Sequence, residues 1–334
     1  MTEATHSTPV AALRHRVDFK VLGPLLAMIL LIIIGAGLNP SFLSWENLTN
    51  VLARSAFIGI IAVGMTFVIT AGGIDLSVGS LAAFVAGVMI MAMNSLMPVM
   101  GIGVPLILAG MGVALLAGLS AGSLNGFLVA KMRIEPFIVT LGSMGIYRGL
   151  VTWLAEGGTL SLDFELRGFF RPVYYDGILG FSWPIIVFAI VAIAGELLMR
   201  QTAFGRHCAA IGANEQVARY SAVKVDRTRL ATYALLGMMV GLATIMYVPR
   251  LGSASGNTGV LWELEAIAAV IIGGTVLKGG FGRVWGTVIG VLILSMIGNI
   301  LNLASIVSPY LNGTIQGIIV ILAVLLQREH KASD

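Results

Sequence analysis

Asp75 is the residue whose type and position first point to chemistry. It is the single charge in an apolar run from Ala56 to Met93 that is otherwise long enough for two membrane spans. Around it the sequence reads TAGGIDLSVGS, Thr70–Ser80. Gly72-Gly73 hold a helix poorly, because glycine loses more backbone entropy than any other residue. Asp75 then stands where a new helix would start, with Ser77 two residues on, so its carboxylate is placed to accept backbone N–H groups and to face the positive end of the next helix. A charge near membrane depth needs a partner or water. The stretch reads either as a gate or path element or as a helix cap at a lipid–water boundary.

Other chemistry is hard to find. No G-x-x-x-x-G-K-[ST] occurs, and the glycines at 279–282 lack the Lys-Ser/Thr ending, so no ATPase site is expected in the chain. No H-E-x-x-H is present. The single cysteine, Cys208, excludes a disulfide framework and a cysteine-cluster metal site. His6, His15, His207 and His330 fall in the tails and one loop, away from the apolar spans. No cofactor is expected, and an enzyme is the least favoured class. Glu196 lies near the end of an apolar run, where it is expected to reach water. A carrier driven by protons or sodium needs an ion site near the midplane, and none is legible.

These residues belong to a strongly apolar chain: 334 residues, 57% hydrophobic and 11% charged, with a mean hydropathy of +0.96. The charged fraction of a soluble protein is about 25%. Span-length apolar stretches recur throughout. The expectation is an all-α polytopic membrane protein of one domain, with about ten transmembrane helices, some of them broken. The spans are placed at 21–38, 56–72, 78–96, 102–129, 136–154, 182–199, 229–249, 262–277, 285–303 and 309–327. No cleavage site follows the first apolar run, so it reads as a retained span. The pI near 9.4 reflects membrane orientation rather than nucleic-acid binding.

Lysine and arginine set that orientation. With both termini cytoplasmic, the inner segments hold Arg14, Arg16 and Lys20; Lys131 and Arg133; Arg200, Arg206, Arg219, Lys224, Arg227 and Arg229; Lys278 and Arg283; Arg328 and Lys331. The others, Arg54, Arg148, Arg167, Arg171 and Arg250, fall outside or near outer span ends. The expected organisation is a tail at 1–20, a membrane domain at 21–328 and a tail at 329–334. The outer loop, 155–181, mixes charge with aromatics and suits either a docking surface or an ordinary solvated loop.

The inner loop, 200–229, carries a second signal. Gly212 is read as a break, Asn214 as a helix cap, and Glu215–Arg219 as a short helical turn with its acid first and its base later. Such a helix suits a groove on a cytoplasmic partner, or alternatively a surface of anionic lipid. In the last third, Gly273-Gly274 and Gly279-Gly280 echo the break at Gly72-Gly73. Paired broken helices point to a translocation path. Gly282, Gly286 and Gly290 at four-residue spacing also permit close helix packing. Asp75, Asn125 and Asn299 are the polar groups placed along such a path, although an asparagine on an apolar helix can equally serve an interhelical hydrogen bond.

Four stretches, in order, resemble permease subunits of bacterial ABC importers for monosaccharides of the ribose, xylose and galactofuranose type: GMTFVITAGGIDLSVGS at Gly64–Ser80, Ser123–Gly149 with its RIEPFIVTLGSMGIYRG, Ile211–Val225, and ELEAIAAVIIGGTVLKGGFGRVWG at Glu263–Gly286. FIGIIAVGMTFVI at 57–69 is most similar to galactofuranose-type permeases. The resemblance implies a bacterial inner-membrane subunit that imports a pentose, galactofuranose or a similar sugar by alternating access. It implies three partners: a cytoplasmic ABC ATPase subunit that binds ATP and Mg, a periplasmic sugar-binding protein, and a second permease subunit, identical or paralogous. Asn214–Ala222 takes the place of that family's coupling helix, with Asn214, Glu215, Ala218, Arg219 and Ala222 as the coupling residues. Ala222 stands where the family has glycine, and Glu265 where it commonly has aspartate. Gly72, Gly73, Asp75, Asn125, Gly273, Gly274 and Asn299 are the expected path or gate residues. A passive small-solute channel or facilitator is the alternative; it explains the broken helices but needs no inner helix.

Overall fold

A computed structural model describes residues 19–304 and positions 311, 314, 315, 317 and 318. The tenth expected span, 309–327, and the two tails lie almost wholly outside the described residues.

The protein is mostly helical. Helix α1 (Phe19–Leu38) leads through a 3-10 turn at Pro40–Leu43 into α2 (Trp45–Thr70), then α3 (Val78–Met100), α4 (Val104–Ala130) and α5 (Pro136–Leu154). The 155–181 loop is structured: strand β1 (Thr159–Ser161), short helices α6 (Phe164–Phe170) and α7 (Pro172–Tyr175), and strand β2 (Gly177–Ile178), which pairs with β3 (Phe181–Ser182). Helices α8 (Trp183–Gln201), α9 (Ala203–Ala213), α10 (Glu215–Tyr220) and α11 (Val225–Leu251) follow. Strand β4 (Ser253–Ser255) pairs antiparallel with β1, and α12 (Trp262–Ile272) and α13 (Val284–Ala304) complete the described helices.

Seven of these helices, α2, α3, α4, α5, α8, α11 and α13, are long and apolar enough to cross a membrane. Four spans differ from the sequence reading, one of them α3, which ends at Met100 rather than 96. α2 starts eleven residues before position 56: the Ser44 hydroxyl accepts the Asn47 N–H, and this cap outweighs the polar first turns that lower the local hydropathy. α11 starts at Val225 rather than 229. The span placed at 262–277 is a helix of 11 residues ending at Ile272. At 1.5 Å per residue it covers about 16 Å, half a bilayer core.

The centre is α2, whose residues from Ala56 to Thr70 are almost all buried. A helix that is apolar all round belongs inside a bundle, and α11, α13, α8 and α12 surround this one. The most extensive pair is α4 with α11. Its seam is glycine: a Cβ on Gly118 would meet Gly237 O, and one on Gly122 would meet Tyr233 O. Within lipid, apolar burial gives helices little reason to associate, so backbone contact through small residues takes its place. That seam also contains Gly118-Leu119-Ser120-Ala121-Gly122, which has the spacing of a serine-nucleophile motif. The string is interior to α4 rather than at the strand-to-helix turn such a nucleophile needs, and its two glycines pack on α11, so it reads as packing rather than catalysis.

Candidate functional site

The first break is held by a buried polar cluster. After α2 ends at Thr70 the chain turns at Gly72, whose φ of +78 lies in the left-handed region that glycine enters without strain. Tyr233 of α11 donates its hydroxyl to Ile74 O at 3.0 Å. Asp75 does not cap α3 through the helix's first N–H groups, as the sequence indicated. Its Oδ1 accepts the Ser77 N–H at 2.7 Å and the Ser77 hydroxyl at 2.6 Å. Asn125 of α4 donates Nδ2 to Ser77 Oγ at 3.1 Å and to Asp75 Oδ2 at 3.4 Å, and Ser143 of α5 donates its hydroxyl to Asn125 Oδ1 at 2.7 Å. Asp75 is 2% exposed and Asn125 0%. The cluster thus fastens the break to α4 and α5 and is closed to solvent in this conformation.

The second break runs from Gly273 to Arg283. Gly273 has no room for a side chain, because its Cβ would fall on the Gly286 backbone of α13, and Gly290 lies as close to Ala269. Here the four-residue glycine spacing serves close packing. The start of α13 is capped from another helix: Glu196 Oε2, on α8, accepts the N–H groups of Val284 at 3.1 Å and Trp285 at 3.2 Å, and Glu196 also pairs with Arg200. The sequence placed Glu196 in reach of water; it is buried at 7% exposure because a carboxylate at a helix N-terminus finds its donors there. Glu196→Ala is expected to leave the buried Val284 N–H without an acceptor, at a cost of about 1–3 kcal/mol, and the part-buried Trp285 N–H at a smaller one, with Glu196→Gln, which retains one acceptor, costing less. Thermal unfolding of the purified variants in detergent checks the order.

The two breaks touch each other through glycine backbone, and α9 touches both. Gly280 N–H donates to Thr70 O at 3.0 Å. A Cβ on Gly279 would lie 2.9 Å from both Gly212 Cα and Gly72 N, and one on Gly212 would overlap Thr70 O and Gly280 N. Gly212 therefore does not break the chain. Helix α9 runs through it to Ala213, and the break comes at Asn214, where the backbone is extended. Glycine at 212 permits a three-way approach that no other residue allows.

Directly beyond this junction lies α10. Asn214 Oδ1 accepts the Val217 N–H at 3.0 Å and caps it. Glu215 bonds Arg219 at 2.9 Å and Arg229 of α11 at 2.7 Å, and Arg219 also bonds Asp226 at 2.8 Å. The Arg229 hydrogen bond, with help from Arg219, holds the Glu215 carboxyl below its ordinary range. A lowered carboxyl contributes stability above its unfolded value and loses it as pH falls through the folded one, so this latch is ionised at neutral pH. Ala218 turns inward onto Ile211 and Val225. Val217 and Tyr220 turn outward, Tyr220 with 90% of its surface exposed. A groove of about 660 Å³ beside α10 is lined by Gly72, Arg133, Glu135, Glu215 and Arg219 among others.

Ala222 has φ +60, left-handed backbone for a residue with a Cβ. It follows the C-cap Ser221, the position where helices most often place glycine. Ala222→Gly is expected to stabilise the loop by about 1 kcal/mol, read as slower amide exchange across 214–225.

The structure brings Gly72, Gly73, Asp75 and Asn125 together at one break, and Gly273 and Gly274 at the other. Asn299 is elsewhere: it exchanges hydrogen bonds with Asn47 of α2 at 2.8 and 3.1 Å. Sequence reasoning placed Ser77 beside Asp75 without their hydrogen bonds, and it missed Ser143, Tyr233, Gly212 as a contact and Glu196 as a cap. It also missed that the starts of α3 and α12 face one another, where a Cβ on Gly79 would meet Gly259 O and Glu263 Oε2. These partners are distant in sequence, and only the shared serine, tyrosine and glycine chemistry hinted at them.

Comparison with known proteins agrees with a transport role. Residues 47–324 match a family described as the permease component of branched-chain amino acid transport systems. The chain is 40% identical to the ribose import permease protein RbsC of Bacillus subtilis, across 93% of this chain and 94% of that one. It is 34% identical to the L-arabinose transport system permease protein AraH of Escherichia coli, over 92% and 90%. It is also 34% identical to the galactose/methyl galactoside import permease protein MglC of Haemophilus influenzae, over 89% and 91%. The relatives are transport subunits rather than enzymes, and seven span-length helices make the chain a multi-pass protein of the inner membrane. With its two glycine breaks and its match over most of its length, the chain belongs to this permease family, as a permease of the ABC sugar-importer type.

Proposed function

We propose that this chain forms the membrane path of an ATP-driven importer for a monosaccharide, with ribose the first sugar to test, and that it works by alternating access. ATP and Mg are bound and consumed by a separate cytoplasmic subunit, a periplasmic protein delivers the sugar, and a second permease subunit completes the path. Residues 21–328 form one membrane domain between cytoplasmic tails, so the 200–229 loop is cytoplasmic and the 155–181 loop periplasmic.

The observation that carries this reading is the seat of α10. A six-residue helix presenting Val217 and Tyr220 outward is fastened by Glu215, Arg219 and Arg229, and Gly212 just before it lies on the backbone of both helix breaks. Exposed apolar side chains on a polar-rimmed helix suit a protein partner. A push on α10 reaches Thr70–Gly72 and Gly279–Gly280 with no intervening side chain. A facilitator has no use for that connection.

The test is uptake of labelled ribose, arabinose and galactose into vesicles holding this chain with its candidate ATPase and binding protein. Uptake should require ATP and fall at least tenfold in Tyr220→Asp and Arg219→Glu, with the complex's chains still present in the membrane. Equal uptake without ATP would refute the importer and favour the facilitator.

A further inference from the structure

Outside the two breaks, the C-terminal half of α5 carries an open groove of about 690 Å³ whose lining includes Gly145, Arg148, Gly149, Thr152, Trp153 and Glu156. Its floor is bare: a Cβ on Gly145 or Gly149 would meet nothing within 4 Å. Arg148 lies six residues, about 9 Å, before the end of α5 at Leu154, and its guanidinium turns onto the Gly256 and Thr258 carbonyls rather than away from the protein. A guanidinium with open donors on this face suits water or protein better than lipid. Arg148 Nη1 donates to the carbonyls of Gly256, at 2.7 Å, and Thr258, which leaves its Nη2 and Nε donors for a ligand. The Thr152 hydroxyl donates to Arg148 O at 2.8 Å, so its lone pairs remain as acceptors. Trp153, one position on, has 73% of its surface exposed.

We propose that Arg148, Thr152 and Trp153 form a weak subsite for a neutral sugar on the periplasmic half of the path; the assignment rests on the sugar-importer reading above. The chemistry fits a polyol ring. Guanidinium donors and a hydroxyl acceptor meet ring hydroxyls, and the indole covers an apolar ring face. Glycine floors let the ring lie against backbone. The charge balance does not favour anions: Glu156 lines the groove with Arg148, so one carboxylate offsets one guanidinium.

Saturation-transfer NMR on the purified permease–ATPase complex in nanodiscs, without binding protein, tests this with ribose, arabinose and ribose 5-phosphate as probes. Ribose is expected to give a saturable signal at millimolar concentration that ribose 5-phosphate does not compete away. Trp153→Ala, at an exposed position that does not threaten the fold, and Arg148→Lys should each weaken it at least tenfold. No ribose signal in the parent complex, an unchanged signal in Trp153→Ala, or preferential binding of ribose 5-phosphate would each overturn the subsite. ATP-dependent uptake is scored separately, so the subsite can fail while the importer reading stands.

Discussion

Gly212→Val is expected to reduce coupled sugar uptake about 10- to 100-fold while leaving assembly with the ATPase intact. The side chain would have to occupy space held by Thr70 O, Gly280 N and Gly279 Cα, all backbone atoms that no rotamer change can move. Overpacking of this kind costs roughly 1–3 kcal/mol, and each 1.4 kcal/mol is tenfold in an equilibrium. The strain falls on the Gly280–Thr70 hydrogen bond, where the two breaks are joined. The outward face of α10, with Val217 and Tyr220, is untouched, so the ATPase should still co-purify and hydrolyse ATP. The informative quantity is the ratio of sugar moved to ATP consumed in proteoliposomes. Gly212→Ala should show the same defect in milder form. A ratio within twofold of the parent in the valine variant would mean that the junction can open without consequence.

The second large effect belongs to Asp75. Removing its carboxylate by Asp75→Ala leaves the Ser77 N–H and the Ser77 hydroxyl, both buried, without their acceptor, and strips one acceptor from the Asn125 amide, which keeps Ser77 Oγ. Each orphaned donor costs about 1–3 kcal/mol, so a total near 3 kcal/mol is expected. Asp75→Asn retains an acceptor for the Ser77 N–H and should cost about half as much. The damage should spread to α5, because Ser143 holds Asn125 in place. Thermal unfolding of the detergent-solubilised variants, monitored by size-exclusion chromatography, measures the order; a Asp75→Ala protein as stable as the parent would show that the cluster contributes nothing to the fold.

Much of the helical plan could be read from residues because the hydropathy of each span is local. The two breaks were legible for the same reason: paired glycines inside apolar runs are visible without knowing what they touch. The short helix after Asn214 was legible because its cap and its acid–base order lie within one turn. Residues whose role depends on distant partners were not. Glu196 caps a helix that starts 88 positions later, so local sequence made it only an acid near a span end. Gly212 looked like a helix breaker because glycine's low propensity is a local property, whereas its contacts with Gly72 and Gly279 belong to the fold. Hydropathy carried the eighth span through Gly273 to position 277, but backbone crowding against Gly286 and the left-handed turn at Gly274 end α12 at Ile272. Asn299 resembled Asn125 in its setting, an asparagine on an apolar helix, and only the partner separates them: Asn47 for one, Asp75 and Ser77 for the other.

The central claim is that α10 acts on both breaks together through the glycine junction. Hydrogen–deuterium exchange of the assembled complex, with and without ATP and Mg, tests it most directly. Peptides covering 70–77 and 273–282 should change protection together with 214–222, because the Gly280 N–H is bonded across the two breaks. A change confined to 214–222, with both breaks unaltered, would contradict coupling by this route.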